Sequence, residues 1–397
     1  MKKIFDEIHG YITLNDIETK LIDTPVFQRL RRIKQTSLAY LVYPGAMHTR
    51  FSHSIGTMHL ANRLAQRFGA EGTLTPEEVQ YLRIAALLHD LGQFPFSHAI
   101  EPIFISKSNI SNVYLRDYII SKNGDIQEIF DEYSISSKKI LDILHGNSFI
   151  SSIIDSDVDV DRMDYLVRDS KHTGVQLGSL DLDRLIDTIN YGENKTIIIM
   201  EKGLNSLENF YISRLHMYQA VYYHKTILGY ELQLRSIFSE LSNYCCPGIF
   251  DESFLRNSIE SNFFSYWDDE WVFSKLYEAL SDPSVPEELR LKIKSFLDRN
   301  GPKVVYEEIS FQDSESRIEE NVLELTKYGI PENSIYPFSE SIRIIDKQKI
   351  KIRSKNNKEK NLRDFSSTLL NVIPSVIYIR RIYVDNIYAK KARDILS

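Results

Sequence analysis

Along the first two thirds of the chain, apolar positions recur at helical spacing. Val79, Leu82, Ala85, Ala86 and Leu88 follow Pro76 and an acidic first turn, which predicts a helix reaching Leu91 that Gly92 can close. His89 and Asp90 then sit in its last turn. A second long pattern, rich in Tyr, Leu and Ile, runs from Leu207 to Leu241, and shorter helices continue past Pro247 to about Asn300. Asn15-Asp16 and Pro44-Gly45 read as turns before helices. The style changes after Gly301-Pro302. Short β-rich runs follow at Val304-Val305-Tyr306, Ser341-Ile342-Arg343-Ile344-Ile345 and Val376-Ile377-Tyr378-Ile379, with a helical stretch between Ser316 and Tyr328. The expected fold is mostly α: a helical core over residues 1–300 and a smaller α+β domain over 301–397.

Length supports that division, since 397 residues exceed one ordinary compact domain. A hydrophobic share of 43% beside 26% charged residues suits a globular, soluble chain. The net charge of -7 argues against a protein whose main partner is a long phosphate backbone. The polar stretch Arg353 to Arg363 reads as an exposed loop, which is solvated surface or, alternatively, a contact for polyphosphate. The only cysteines are the neighbours Cys245 and Cys246, too few for a disulfide framework, so a reducing, cytoplasmic setting is expected. The start of the chain turns acidic at Asp6-Glu7 before any long apolar run. Neither a signal peptide nor a membrane anchor is expected.

The chemistry lies in polar residues that this pattern should bury. His53, His89, Asp90 and Asp161 offer two imidazoles and two carboxylates, a set able to hold one divalent ion with positions left for water and a phosphate oxygen. The bland alternative is a helix-terminal His with a solvated Asp. If the segment Arg50 to Phe68 is helical, Arg50 and His53 share a face, which puts a guanidinium beside a ligand. Asp161, Tyr165 and Asp169 fall at four-residue steps with Arg162 at the edge. The run Asp157 to Asp161 also reads simply as an acidic helix start. Arg214, Tyr218 and Tyr222, followed by Lys225, make a cationic and aromatic face suited to phosphate plus sugar or base, or else an ordinary tyrosine core stripe.

Five stretches in order give a more specific reading: Asp23-Thr24-Pro25-Val26-Phe27-Gln28-Arg29-Leu30, His48-Thr49-Arg50-Phe51-Ser52-His53-Ser54-Ile55-Gly56, Leu88-His89-Asp90-Leu91-Gly92, Pro95-Phe96-Ser97-His98 and Asp161-Arg162-Met163-Asp164-Tyr165. Over residues 4 to 230 the chain resembles the HD-domain dNTP triphosphohydrolases, both the SAM-and-HD-domain enzymes and their shorter bacterial and archaeal relatives. Arg380-Arg381-Ile382-Tyr383-Val384-Asp385 is similar to their carboxy-terminal strand. The resemblance implies one divalent metal (Mn, Fe, Zn, Ni or Mg) on His53, His89, Asp90 and Asp161. It implies phosphate contacts from Arg50, Arg162 and Arg214, sugar recognition by Gln35, Asp169 and Tyr222, and ring packing by Tyr165 beside Tyr218. The implied reaction is attack of water on the α-phosphorus of a dNTP, releasing deoxynucleoside and tripolyphosphate.

One departure bears on the proton that the leaving oxygen needs. Gln93 stands where these relatives usually carry His, and a glutamine cannot exchange a proton near neutral pH. A second family histidine is replaced around Tyr133-Ser134, whereas His98 and the carboxylate Glu101 are retained. Three functions therefore remain open: a dNTP triphosphohydrolase, another HD phosphohydrolase (nucleotidase, phosphodiesterase or nuclease), and a nucleotide-binding sensor that has lost turnover. Asp23, Gln28 and Arg31 match residues that bind an activating nucleotide between subunits, which implies a homo-oligomer, a dimer or tetramer. Their alternative is a helix start capped by Asp23 or Thr24. Nucleic acid is a less expected partner.

Overall fold

The fold was analysed in a computed structural model that describes residues 2–176, 180–192, 196–365 and 368–397. Among these residues the chain is mainly helical, with three small sheets. Strands β1 (Lys2–Asp6) and β2 (Gly10–Leu14) form an antiparallel hairpin with Lys2 opposite Leu14. The helix Asp16–Asp23 follows, capped by Asn15 and Glu18 in a reciprocal box, as the Asn15-Asp16 turn suggested.

Two helices set the frame of the site. The predicted segment at Arg50 forms the helix Arg50–Ala70, and it packs against the helix Pro76–Leu88, whose start is closed by Thr75 and Glu78. This second helix stops three residues earlier than its apolar pattern suggests. His89 is its cap, and Asp90 lies in the turn beyond. Gly92 does not end it through a left-handed conformation. A Cβ there would come within 2.0 Å of the Asn112 carbonyl oxygen, so the requirement is close backbone packing. The helix Val160–Thr173 packs on Arg50–Ala70 from the other side.

The long helix expected from Leu207 to Leu241 is broken. Leu204–Met217 runs into a π-helical turn at Tyr218–Tyr222, and the chain leaves helical geometry at His224 before Lys225–Cys245 begins. A hydrophobic pattern barely registers one inserted residue, and such wide turns recur at functional sites.

The last helix before residue 301 ends at Leu297, and β5 (Lys303–Ser310) opens the strand-rich segment. The helix Ile318–Lys327 and then strands β6 (Ile335–Arg343) and β9 (Val376–Val384) follow in sequence, and β9 lies between β5 and β6 in an antiparallel sheet. The polar stretch at Arg353 is not a plain loop. It contributes β7 (Lys351–Arg353) and β8 (Glu359–Asn361), short charged strands with an exposed turn between them. Strand β7 pairs in parallel with β4 (Ile197–Met200), which itself pairs with β3 (Ile189–Tyr191). One continuous apolar core therefore reaches from Ile12 to Tyr383. A smaller one, built from Ile318, Leu325, Ile382 and Ala392, sits under the carboxy-terminal sheet. Among the described residues, no helix is long and apolar enough to cross a membrane.

Candidate metal centre and anion pocket

Three side chains from three helices meet at the centre. His53 lies in the first turn of Arg50–Ala70, His89 caps Pro76–Leu88, and Asp161 lies in the first turn of Val160–Thr173. His53 Nε2 is 2.9 Å from Asp161 Oδ1 and 3.3 Å from His89 Nε2, and His89 Nε2 is 3.7 Å from the same Asp161 oxygen. The outer ring nitrogens are both committed. His89 Nδ1 donates to the Ala86 carbonyl at 2.7 Å and His53 Nδ1 to Asp164 at 2.8 Å. Once deprotonated, each ring turns an Nε2 lone pair inward, beside a carboxylate. Three converging ligand atoms at a partly buried place can hold a cation between them, and the residues fit a divalent metal.

Electrostatics reports the same demand. Burial disfavours a charged His53 ring, but hydrogen bonds to Asp161 and Asp164 outweigh it and raise the ring to about 10. Burial likewise opposes ionisation of Asp161, and the two histidines overcome it, holding the carboxyl well below its ordinary range. Asp90 flanks this trio without closing on it. Its oxygens lie 3.6 Å from His89 Nε2 and 3.9 Å from His53 Nε2, and they accept hydrogen bonds from Arg50 at 2.9 Å and Gln93 Nε2 at 3.0 Å. Asp90 thus stands between the two histidines and Arg50, while His53, His89 and Asp161 make the tighter group.

A buried network behind the trio escaped the sequence reading. Asp164 accepts from His53 and lies 2.7 Å from His9 Nε2, and Arg168 binds it from four residues on at 2.8 and 3.0 Å. Arg168 also reaches Asp6 and Glu7 of the amino-terminal hairpin. Gly56 makes room, because a Cβ there would fall 2.0 Å from Asp164 Oδ1. Glu7 contacts His172 at 2.8 Å, and His172 stacks on His48 with ring centres 4.4 Å apart. His48 in turn lies 2.7 Å from Asp169. Asp164 and His48 stood inside the quoted motifs, but nothing local links them to partners 111 and 121 residues away.

The remaining candidates line one side of the trio. Tyr222 donates to Asp169 at 2.7 Å, Tyr165 lies edge-on to Tyr222, and Tyr218 packs against Tyr222 in the same manner. Arg214 lies over the Tyr218 ring and donates to the Arg343 carbonyl at 3.1 Å. Several buried polar atoms here have no hydrogen-bond partner: Arg50 Nε, Arg214 Nε and Nη1, Gln35 Oε1 and Gln93 Oε1. Unpaired guanidinium nitrogens beside a tyrosine ring, as at Arg214 and Tyr218, suit an anion with a ring attached. Arg162 is tied down elsewhere, to Asp159 and to the Ser156 carbonyl at 2.6 Å, while Asp159 caps the helix as the acidic run suggested. The acidic run is a helix start, and Asp161 two residues on faces the histidines.

His98 and Glu101 stand apart. The His98 side chain is 74% exposed, with Nδ1 3.7 Å from Glu101, and neither residue hydrogen-bonds to the trio. Glu101 accepts from the Asn112 amide at 2.9 Å. Tyr133 caps a separate helix under Lys20. Arg29, unassigned in the sequence, is fully buried and clamps the loop after Asp90 through the Leu91 and Gln93 carbonyls. Asp23, Gln28 and Arg31 form one partly exposed surface. Arg31 donates to Gln28 at 2.8 Å and its guanidinium sits 3.5 Å over the Phe51 ring, while Asp23 pairs with Lys2. Thr24 is indeed the cap of the short helix Pro25–Gln28.

Comparison with known proteins places this geometry. A family profile described as the HD domain matches residues 50–169, a span that opens at Arg50 and contains His53, His89, Asp90 and Asp161. Residues 50–169 of this chain form an HD domain. An HD associated region follows at residues 180–230 and takes in Arg214, Tyr218 and Tyr222. The HD-domain protein is similar to an uncharacterized protein of Methanocaldococcus jannaschii, with 43% identity over 57% of this chain and 47% of that one. It is also similar to a human deoxynucleoside triphosphate triphosphohydrolase, at 29% identity over 62% of this chain and 45% of the enzyme. The chain spans about half the length of these curated relatives. Among solved structures, a phosphohydrolase of Bacteroides thetaiotaomicron matches with a TM-score of 0.78 and 26% identity over 96% of this chain and 99% of that one.

Proposed function

We propose that this HD-domain protein is a metal-dependent phosphohydrolase that converts deoxynucleoside triphosphates to deoxynucleoside and tripolyphosphate. The observation that carries the reading is the convergence of His53 Nε2, His89 Nε2 and Asp161 Oδ1 beside the unpaired nitrogens of Arg50 and Arg214. A divalent ion held by His53, His89 and Asp161, with Asp90 adjacent, supplies Lewis acidity toward a phosphoryl oxygen and a more acidic water. Arg50, fixed by Asp90 and Ser97, presents its free Nε to a phosphate oxygen. Arg214 offers Nε and Nη1 to the next phosphates, and Arg162 joins them on release from Asp159. Tyr165 packs on the sugar, with Asp169, Tyr222 and Gln35 at its hydroxyl. Gln93 carries no exchangeable acid proton, so we assign proton delivery to the leaving oxygen to water. Slow turnover follows.

Incubating the purified protein with each dNTP and Mn²⁺ or Mg²⁺, and resolving the products, tests this. Tripolyphosphate is expected. Orthophosphate, or oligonucleotide cleavage, would point to another HD phosphohydrolase. The Gln93 amide bonded to Asp90 favours one further reading, a nucleotide sensor, which binds metal and dNTP and releases no product. The surface of Asp23, Gln28 and Arg31 is proposed as an activating-nucleotide site in a homo-oligomer. Its mark is a rate that rises on adding a second nucleotide together with a dimeric or tetrameric mass, and a flat response from a monomer removes it.

A further inference from the structure

The two cysteines have no part in the chemistry above, yet they are placed together. Cys245 ends the helix Lys225–Cys245 and Cys246 is its cap, both half-buried, with their Sγ atoms 3.1 Å apart. They line a cavity of about 350 Å³ walled by Phe264, Trp267, Trp271 and the stem of Lys275. The cavity is unlike the rest of the core in two respects. It holds both tryptophans of the chain, in edge-on contact with centres 5.9 Å apart, and the buried Trp267 Nε1 has no hydrogen-bond partner. A buried unpaired donor in an aromatic-walled space asks for a guest with an acceptor.

We propose that Cys245 and Cys246 form a thiol–disulfide exchange site, open to small disulfides that carry an aromatic or apolar group, and that the pair closes to a vicinal disulfide inside this cavity. Either thiol of the pair can open the reaction, with Cys245 the favoured one. A hydrogen bond from Cys246 lowers it first, burial opposes, and the Lys275 ammonium lowers it further, whereas Cys246 is pushed up. The Cys245 thiolate attacks one sulfur of R–S–S–R, forming Cys245–S–S–R and releasing RS⁻, which takes up a proton. Cys246 then loses its proton and attacks the Cys245 sulfur, expelling the second RS⁻ as thiol. Two cysteine thiols are oxidised by two electrons and one disulfide is reduced to two thiols, which carry the two protons. Neighbouring Cα atoms lie about 3.8 Å apart across a trans peptide, below the about 4.4–6.8 Å that relaxed disulfides span. The closed form is therefore strained and readily reduced, suited to a reversible modification and not to a staple.

With no other cysteine in the chain, the test has a clean count. The full-length protein is treated with dithiobis(nitrobenzoate), and separately with oxidised glutathione, and the released thiol and chain mass are measured. Two thiols released per chain, a chain lighter by two hydrogens and a loss of tryptophan fluorescence that dithiothreitol reverses are expected. No reaction, two stable mixed disulfides on one chain, or cross-linked chains would each overturn the site. Cys246→Ser should react at the parent rate and stop at one mixed disulfide, while Cys245→Ser reacts about 10-fold more slowly. Equal rates for the two variants overturn the assignment of Cys245 as the favoured thiol.

Discussion

At the scale of single residues, Asp164 and Gln93 separate holding a cation from turning over a substrate. Asp164 fixes the tautomer of His53 from behind. Its replacement by Asn should weaken divalent-ion binding by about 10–100-fold. Calorimetric titration of the variant with Mn²⁺ checks this, and an unchanged affinity would remove Asp164 from the site. Gln93 bears on the proton. Gln93→His restores an imidazole next to Asp90 and is expected to raise kcat by about 10²–10⁴-fold with KM little changed. Single-turnover rates on a dNTP decide it. Both residues were visible as letters in the motifs. Gln93 declared itself because a proton carrier was replaced, whereas Asp164 did not, because its role depends on a ring 111 residues earlier in the chain.

At the scale of elements, the amino-terminal hairpin acts as a buttress for a centre it never enters. Asp6 and Glu7 hold Arg168, Arg168 and His9 hold Asp164, and Glu7 holds His172 against His48. His9→Ala should therefore lower metal affinity while the far-ultraviolet dichroism stays that of the parent, and His9→Gln should recover part of the loss. Equal affinities in all three proteins would count against the buttress. Two glycines show the same dependence on neighbours. Gly56→Ala drives a methyl into Asp164, and Gly92→Ala drives one into the backbone at Asn112. Each substitution should cost about 1–3 kcal/mol in urea denaturation, with the metal site lost first in the Gly56 variant. The break at Tyr218–Tyr222 belongs to this scale too. It lets Tyr222 reach Asp169 while Arg214 lies over Tyr218, a placement that an unbroken period could not foretell.

At the scale of the whole molecule, the centre ties metal binding to pH and stability. The folded His53 ring is raised to about 10 from an ordinary value near 6.5, so without metal its proton stabilises the fold fully below about pH 6.5. That contribution is lost as pH rises through about 10. Metal-stripped protein should thus show a Tm that falls between pH 7 and 10, while protein saturated with Mn²⁺ holds its Tm, because the ion takes the place of the proton. Proton release on metal binding, read as a buffer-dependent heat, should accompany this. A Tm in the stripped protein that is flat with pH would contradict it. The carboxy-terminal segment is also part of the whole. Strand β7 pairs with β4, and the Arg343 carbonyl accepts from Arg214, so residues beyond 301 contact the helical core at Arg214 itself.

The order and spacing of letters by themselves determined the helical character of the chain and the turn at Asn15-Asp16 before a helix, and they marked Arg50 to Phe68 and the candidate cation ligands as possibilities for the fold to decide. Each of these depends on neighbours within a turn or two, where periodicity and capping operate. Only the tertiary structure decided that Asp90 is shared between Arg50 and the two histidines, that His98 is exposed, that Arg162 is held by Asp159, and that a distant hairpin carries the support of Asp164. Those outcomes depend on which helix ends meet and which polar atoms remain without water, and that is settled only when the whole chain packs around one core.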